Sequence, residues 1–339
     1  MTKDVVLNIA SLLPESLWNS EDCLLPYYHM VSDEVVPHVS PLYSFRSIKT
    51  FSADIDWLLK KRRPLSLDEF VTTLLNTGRP PKRAFLLTFD DGFREMYDVV
   101  APLLRAKGVP AVFFLTSKTT ENIALCHHQK IALLLHHRQK AMNRFPDSEV
   151  RRLLSADGIN GANTIEALKA ISWSNRTVLD ILGTVCDFDF DAYARERRPF
   201  LDGEQVEALL RNGFDIGAHS IDHPRYADIS VDEQLRQTRE SIKYLANRFA
   251  LRRRAFAFPH TDRGVNSSFF TQATKENLFE ISFGTSSPQP GHDPFNIQRF
   301  SMEKTTLPIS KIIIHQRLRE MKYKLFGAKQ NGRRGNSAY

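Results

Sequence analysis

The most informative segment for the fold is AFLLTFDDG, residues 84–92. Its first six residues form an almost continuous apolar run, which stops abruptly at the acidic pair Asp90–Asp91. Such a run is typical of a strand in a parallel sheet that is covered on both faces. A predicted helix over 97–107 and a second apolar strand over 109–115 follow, so this region predicts a β-α-β unit with a right-handed connection.

The same alternation of strand and helix continues outward on both sides of this unit. It predicts an α/β fold with a largely parallel sheet, which residues 118–203 interrupt as a helical insertion. The further predicted strands are 24–31, 214–218, 255–258 and 281–284, and the further predicted helices are 47–61, 68–75, 204–211, 231–249 and 269–276.

Composition and charge narrow the class of protein. With 339 residues, 42% hydrophobic and 25% charged, the chain is long enough for one barrel with an insertion, and disorder, collagen and coiled coil are excluded as its main state. Residues 304–339 hold nine Lys/Arg and one acid, a charge of +8 against +7 for the whole chain, so residues 1–303 carry −1. We therefore predict a single domain over 1–303, followed by a basic helix and tail over 304–339.

The basic tail bears on the binding partners of the protein, and the N-terminus bears on its cellular compartment. The tail suits an anionic membrane surface, whereas it lacks the aromatic residues interleaved with cations, or the recognition motif, of a nucleic-acid binder. Three widely spaced cysteines indicate neither a disulfide framework nor a thiolate zinc site.

The acidic N-terminus does not read as a signal peptide, so we expect a cytoplasmic protein, at most peripheral to the inner face of the membrane. The sequence does not give the oligomeric state.

Polar, ligand-capable residues follow three of the predicted strands, where α/β folds place their functional sites. In the pair Asp90–Asp91, one carboxylate can bind a cation while the other faces substrate, because successive residues point to opposite sides. In the second segment, residues 217–224, His219 and His223 can converge on one metal from a single helical turn or a compact loop. Two histidines and one carboxylate leave coordination positions open, as in a catalytic metal site.

The third strand end is residues 256–262, FAFPHTD. Structurally it reads as a buried strand that proline stops. Backbone N–H groups just beyond Pro259, near His260, could stabilise an oxyanion.

Together the three segments resemble the polysaccharide deacetylase family, also called NodB-homology or carbohydrate esterase family 4. The resemblance covers about residues 84–120 and 204–300, and it implies a distorted (β/α) barrel and metal-dependent removal of N-acetyl groups from amino sugars. It implies Asp90 as general base and Asp91, His219 and His223 as ligands of a divalent metal, with zinc expected first and cobalt, nickel or manganese compatible. The family usually has an arginine in its third motif, but here Arg254 lies further upstream.

Two histidines are candidates for the general acid. Many family members supply it from a C-terminal Leu-x-His motif, for which His315 in Ile313-Ile314-His315 is the nearest match. Deacetylases acting on poly-N-acetylglucosamine supply it instead from an N-terminal Tyr-His, which Tyr28-His29 resembles more closely. We therefore prefer His29.

The resulting hypothesis is a hydrolase that deacetylates an N-acetylated glycan or a cytoplasmic glycan precursor. Two alternatives keep the same site. One is an amidase acting on a small N-acyl or cyclic amide compound, for which the insertion would shape a closed pocket. The other is a carbohydrate-binding pseudoenzyme, which would bind sugar without releasing acetate.

Overall fold

A computed structural model describes residues 22–141, 144–286, 293–303 and 305–326, with side chains up to residue 319 in the last segment. Eight parallel strands form the main sheet, in the order β10-β1-β4-β5-β6-β7-β8-β9, and β2 and β3 pair separately. The strands are β1 (Pro26–Tyr28), β2 (Arg63–Pro64), β3 (Ala84–Phe85), β4 (Leu87–Phe89), β5 (Ala111–Leu115), β6 (Asp215–Ala218), β7 (Ala255–Ala257), β8 (Ile281–Gly284), β9 (Asn296–Gln298) and β10 (Phe300–Ser301).

One short stretch, residues 296–301, joins the two edges of this sheet. Its first half is β9, which pairs with β8, and its second half is β10, which pairs with β1. Arg299 alone separates the two halves, and its backbone N–H donates to the Gly284 carbonyl at 2.9 Å. The sheet is therefore a nearly closed barrel, which confirms the predicted distorted (β/α) barrel, although the sequence pattern had not predicted β9 and β10.

Twelve α-helices surround the barrel in the described part of the chain. They are α1 (Ile48–Lys61), α2 (Leu67–Thr77), α3 (Ala101–Ala106), α4 (His127–Ala141), α5 (Asp147–Ala156), α6 (Thr164–Lys169), α7 (Val178–Val185), α8 (Phe190–Arg197), α9 (Gly203–Arg211), α10 (Val231–Arg248), α11 (Ser267–Lys275) and α12 (Ile309–Phe326). The helix predicted over 97–107 is instead a π turn, Met96–Val100, that leads into α3. Pro102, which has no N–H to donate, lies at the start of α3.

Local sequence explains how these helices begin. Ser47, Ser66 and Ser230 each accept a hydrogen bond from a backbone N–H of the first turn of α1, α2 and α10. Such a cap satisfies one of the backbone donors that a helix start leaves without an intrahelical partner. At α2 the Leu67 N–H also donates to the Asp215 carboxylate, so this helix is held against the amino end of β6.

Alternate residues of the strands pack into two different hydrophobic clusters. In β5, Ala111, Phe113 and Leu115 face the surrounding helices, whereas Val112 and Phe114 belong to a cluster with α2 and with β7 and β8 residues. This alternation is the side-chain period of a strand. The barrel is thus filled and covered at its amino end, which leaves the carboxyl ends of the strands for polar side chains.

The segment predicted as an insertion contains α4 to α8. These helices bury a hydrophobic cluster of their own, which includes Ile131, Leu154 and Leu179. Met30 and Phe93, which follow β1 and β4, belong to the same cluster, so the insertion packs beside the carboxyl ends of these strands.

The basic C-terminal segment contains α12, which buries Ile309, Ile312 and Ile313 in the cluster around the barrel. No helix within the described ranges combines the length and apolarity that a membrane crossing requires. The predictions for residues 1–21 and for the tail beyond residue 326 lie outside the described residues.

Candidate active site

The carboxyl ends of β1, β4, β6 and β7 carry the residues that the sequence pattern singled out. His29 follows β1, the pair Asp90–Asp91 follows β4, and His219 and His223 follow β6. Because all these strands are parallel, their ends meet at one edge of the barrel. Pro259 and His260 follow β7 at the same edge.

Asp91, His219 and His223 form a buried triad. The Asp91 Oδ1 atom lies 3.1 Å from His223 Nε2 and 3.5 Å from His219 Nε2, and one ligand atom of each residue lies within 4.8 Å of the others. His219 Nδ1 is 2.8 Å from the Ala257 carbonyl, which fixes the proton on Nδ1 and leaves Nε2 as a lone-pair donor.

The donor set of this triad fits a divalent metal ion. Asp91 Oδ1 is buried, yet it accepts no hydrogen bond from the residues that the structure describes. A buried carboxylate oxygen without a partner is costly, and a cation held with two imidazole nitrogens would satisfy it. Burial would raise the pKa of Asp91, but the His223, His219 and His29 rings together outweigh it and hold this pKa well below its usual value. The carboxylate is therefore ionised and ready to bind a cation.

Several residues of the site adopt a left-handed backbone conformation, which is uncommon outside glycine. The φ angles are +73° at Asp91, +68° at Ser220, +62° at His223 and +57° at His260. Non-glycine residues held in this region cost free energy and tend to cluster at functional sites. The loops are thus shaped to aim these side chains, and no regular helix sets the spacing of His219 and His223.

Asp90 does not join the triad but forms a bidentate ion pair with Arg299. Arg299 Nη1 donates to Asp90 Oδ1 at 2.7 Å, and Nη2 donates to Oδ2 at 2.8 Å. Burial would raise the pKa of Asp90, but the Arg299 guanidinium outweighs it and lowers the pKa below its usual value. The two neighbouring aspartates therefore have different partners, as expected for successive residues that leave a strand.

Arg299 is enclosed by aromatic rings inside the barrel. Its side chain is fully buried, and the guanidinium carbon lies 4.8 Å from the centroid of the Tyr27 ring and 5.3 Å from that of Phe114. Nη1 also donates to Thr88 Oγ1 at 2.9 Å. By contrast, Arg254 hydrogen-bonds Asn277, with Nη1 donating to its carbonyl at 2.8 Å and Nη2 to Oδ1 at 3.1 Å. Arg299 is therefore the arginine of this site, and the sequence pattern had not identified it.

His29 pairs with Glu303, another residue that the sequence analysis missed. His29 Nδ1 lies 2.6 Å from Glu303 Oε2, and the backbone N–H groups of His29 and Met30 both donate to Oε1 at 2.9 Å. Burial lowers the pKa of His29, but the Glu303 carboxylate raises it more strongly, to about 9. About a quarter (26%) of the His29 side chain reaches solvent, so this protonated ring remains accessible.

Tyr43 is a third residue that the sequence analysis missed. Its ring lies 5.3 Å from that of His29, and its buried hydroxyl has no hydrogen-bond partner within the described part of the chain. Burial raises the pKa of Tyr43 well above its usual value, and the nearby Asp91 raises it further. The hydroxyl is therefore a proton-bearing donor beside Asp91.

His315, the other candidate acid, belongs to α12. Its helix neighbours Ile313 and Gln316 line a small cavity together with Leu24 and Leu25, at the amino end of β1. His29 lies at the carboxyl end of the same strand, where the buried triad also lies. The geometry therefore favours His29 over His315 as the general acid.

Asp262 anchors the loop that carries Pro259 and His260. Its carboxylate accepts hydrogen bonds from the Thr285 and Ser286 backbone N–H groups and from the Asn296 and Gln298 side chains, over 2.6 to 3.0 Å. Thr285 Oγ1 also donates to the His260 carbonyl at 3.1 Å. The β8 and β9 region therefore fixes the backbone around His260, which is exposed at the mouth of the site.

The insertion brings two more histidines to this site. The His128 ring, at the start of α4, lies 4.4 Å from that of His223, and the His127 ring lies 6.5 Å from that of His260. The His/Arg-rich composition of this stretch was visible in the sequence, but nothing there indicated which residues it would contact.

A comparison with protein families matches residues 77–276 to the model described as polysaccharide deacetylase. Poly-beta-1,6-N-acetyl-D-glucosamine N-deacetylase of Escherichia coli (strain K12) is 32% identical over 107 residues, which are 30% of this chain and 15% of that protein. The chain thus matches only a small part of that relative's length.

Solved structures share the fold at low sequence identity. The Streptococcus pyogenes deacetylase PplD in complex with acetate superposes with a TM-score of 0.54 at 15% identity, over 89% of this chain and 99% of that one. IcaB from Ammonifex degensii superposes with a TM-score of 0.52 at 15% identity, over 87% of this chain and 96% of that one. A de-N-acetylase from Aggregatibacter actinomycetemcomitans superposes with a TM-score of 0.52 at 16% identity, over 86% of this chain and 98% of that one.

Proposed function

Since this chain belongs to the polysaccharide deacetylase family, an enzyme family that acts on carbon–nitrogen bonds, we propose that it is a metal-dependent hydrolase that removes N-acetyl groups from amino sugars. The observation that carries this proposal is the separation of the two aspartates. Asp91 faces two imidazoles, whereas Asp90 is held by Arg299. Asp91 is thus available to bind a cation, while Asp90 is held beside it as the proposed base.

The residues of the site serve as metal ligands, as general base, as general acid and as an oxyanion site. Asp91, His219 and His223 would hold the metal, for which zinc is our first choice and cobalt, nickel or manganese are compatible. When bound, such an ion supplies Lewis acidity for the acetamide carbonyl and acidifies water. Asp90 removes the proton from the attacking water, and since its pKa is low, it acts through its position and not through strong basicity.

His29 is the proposed general acid. Its Nδ1 is occupied by Glu303, so Nε2 carries the proton that the departing amine requires. A ring with a pKa of about 9 stays protonated at neutral pH, which suits an acid. A backbone N–H near His260, beyond Pro259, would stabilise the oxyanion of the tetrahedral intermediate.

Glu303→Gln should shift the pH dependence of the reaction. Without the carboxylate charge, burial opposes only the weaker influence of Asp91 and Asp90 on the His29 ring, so its pKa should fall from about 9 toward its ordinary value of 6.5. The acid would then be deprotonated at pH 8, and kcat/KM there should fall by roughly tenfold or more. The measurement is a pH profile of kcat/KM, combined with NMR titration of the His29 ring.

Glu204→Gln, which neutralises an exposed carboxylate on α9, is the matched control and should leave the profile unchanged. If the alkaline limb of Glu303→Gln coincides with that of the unmodified enzyme, His29 is not the acid.

The proposed substrate is an N-acetylated glycan or its precursor, of the poly-N-acetylglucosamine type that the E. coli relative's name describes. We further propose a cytoplasmic enzyme whose basic C-terminal segment rests against an anionic membrane surface and meets a precursor there.

Acetate release tests this function. N-Acetylglucosamine oligomers and small N-acyl amides should be offered with zinc, with cobalt and after chelation. We expect metal-dependent acetate release from the oligomers. Release from the small amides alone would indicate the amidase, and sugar binding without release would indicate a pseudoenzyme.

A further inference from the structure

We propose that the amino end of α4, together with Lys118 and Arg176, forms a subsite for an anionic oxygen group, phosphate or carboxylate, on the N-acetylated substrate. This inference rests on the proposed function, because the subsite adjoins the proposed metal ligand His223. It adds to the proposed substrate class a preference for amino sugars that carry a negative charge close to the acetamido group.

The first observation is a pair of buried histidines, each with one ring nitrogen that has no hydrogen-bond partner among the described residues. His127 and His128 are 7% and 5% exposed, and the Nδ1 atom of each has no hydrogen-bond partner in the described part of the chain. Buried ring nitrogens are ordinarily satisfied by protein or by a bound group. Since the His128 ring packs 4.4 Å from that of His223, such a group would lie beside the metal ligands.

The hydrogen bonds around His128 show which of its ring nitrogens carries the proton. Gln129 Oε1 accepts from the Cys126 backbone N–H at 2.9 Å, so the amide nitrogen of Gln129 is a donor. This nitrogen lies 2.6 Å from His128 Nε2, which therefore accepts. The proton of a neutral ring is then on Nδ1, and His128 has an N–H donor left for a ligand.

The direction of α4 also favours a ligand that accepts hydrogen bonds at this point. The helix has 15 residues and begins at His127, so its unpaired backbone N–H groups and the positive end of its dipole lie at the same point. Helix amino ends bind phosphate and carboxylate groups for this reason.

The second, independent observation is a pair of cations that share one carboxylate. Lys118 Nζ and Arg176 Nε both lie 3.8 Å from Asp222 Oδ2, which is beyond hydrogen-bond distance. The other oxygen of Asp222 accepts from the Trp173 and Gln237 side chains, at 2.8 Å each. Neither cation donates a hydrogen bond to Asp222, so donors of both remain for a further anion.

Arg176 is held in a fixed position, although a third of its side chain is exposed. Its guanidinium carbon lies 3.8 Å from the Trp173 ring centroid, and Nη1 donates to the Trp173 carbonyl at 2.6 Å. Asp222 immediately precedes His223 in the chain, so Arg176 lies against the loop that carries this proposed metal ligand. A positioned cation loses little conformational entropy when it binds an anion.

Binding of charged and neutral sugars to the full-length zinc-loaded protein tests the subsite. The probes for isothermal titration calorimetry are N-acetylglucosamine, its 1-phosphate and N-acetylmuramic acid, which carries a carboxylate. We expect at least one charged sugar to bind about tenfold more tightly than the neutral sugar, as one charge-assisted hydrogen bond would supply. Lys118→Gln and Arg176→Gln should each remove most of this preference.

Arg152→Gln, which changes an exposed arginine of α5, is the matched control and should keep the preference. Equal affinity for charged and neutral sugars would overturn the inference, and so would a preference that survives in the Lys118→Gln/Arg176→Gln double variant. The proposed function fails separately. If both variants weaken anion binding but no substrate releases acetate, the subsite stands and the deacetylase does not.

Discussion

Asp90→Asn should reduce kcat for acetate release by about a hundredfold to ten-thousandfold, the range of general acid–base catalysis, while the protein still binds zinc. Asparagine keeps the size of the side chain but cannot take a proton from water. Because Asp90 is paired with Arg299 and not with the two histidines, metal binding should be unaffected. Kinetics and zinc analysis of the purified variant measure both properties.

The neighbouring residue provides the matched comparison. Asp91→Ala should lose zinc and activity together, because the side chain between His219 and His223 is removed. His223→Ala should behave in the same way and serves as a second variant if Asp91→Ala does not fold. Full activity in Asp90→Asn, or normal zinc content in Asp91→Ala, would reverse the proposed roles.

The second large effect is expected from Arg299→Met. Removing one partner of a buried ion pair typically costs about 3–5 kcal/mol in the free energy of unfolding. Activity should also change with pH, because burial without the guanidinium raises the pKa of Asp90. Asp90 would then be protonated in a larger fraction of the molecules at a given pH, so the acidic limb of the kcat profile should shift to higher pH. Chemical unfolding and a pH profile of kcat separate the two effects.

Arg254→Met is the matched control for Arg299→Met, because this arginine binds Asn277 and does not contact Asp90. It should keep full activity and the original pH profile. Arg299→Lys should restore the charge but not the two parallel hydrogen bonds, so we expect partial recovery. A pH profile of Arg299→Met that matches the unmodified enzyme would show that Arg299 does not tune Asp90.

Local patterns were enough to predict most of the barrel. The strand predicted over 281–284 has the observed bounds, and the predicted 214–218 strand differs from β6 by one residue. Buried parallel strands have continuous apolar sequences, which are easy to recognise. The strands β9 and β10 were not predicted, because they are only three and two residues long. Within 296–301, polar residues also outnumber apolar ones.

The site was predictable only where a local motif carries it. The aspartate pair and the two histidines lie within short segments, and their spacing indicated a metal. Arg299 and Glu303 lie 209 and 274 residues from their partners Asp90 and His29, in a stretch without a motif. Their roles follow from barrel closure, which brings β10 beside β1 and which no local pattern encodes.

The stretch that joins β8 to β1 also sets an order of assembly during synthesis. All the proposed metal ligands lie before residue 224, whereas Arg299 and Glu303 are translated some 75 residues later. A nascent chain could therefore present the metal ligands before Asp90 and His29 have received their charged partners. The proposed hydrolysis would therefore begin only once the last strands have closed the barrel.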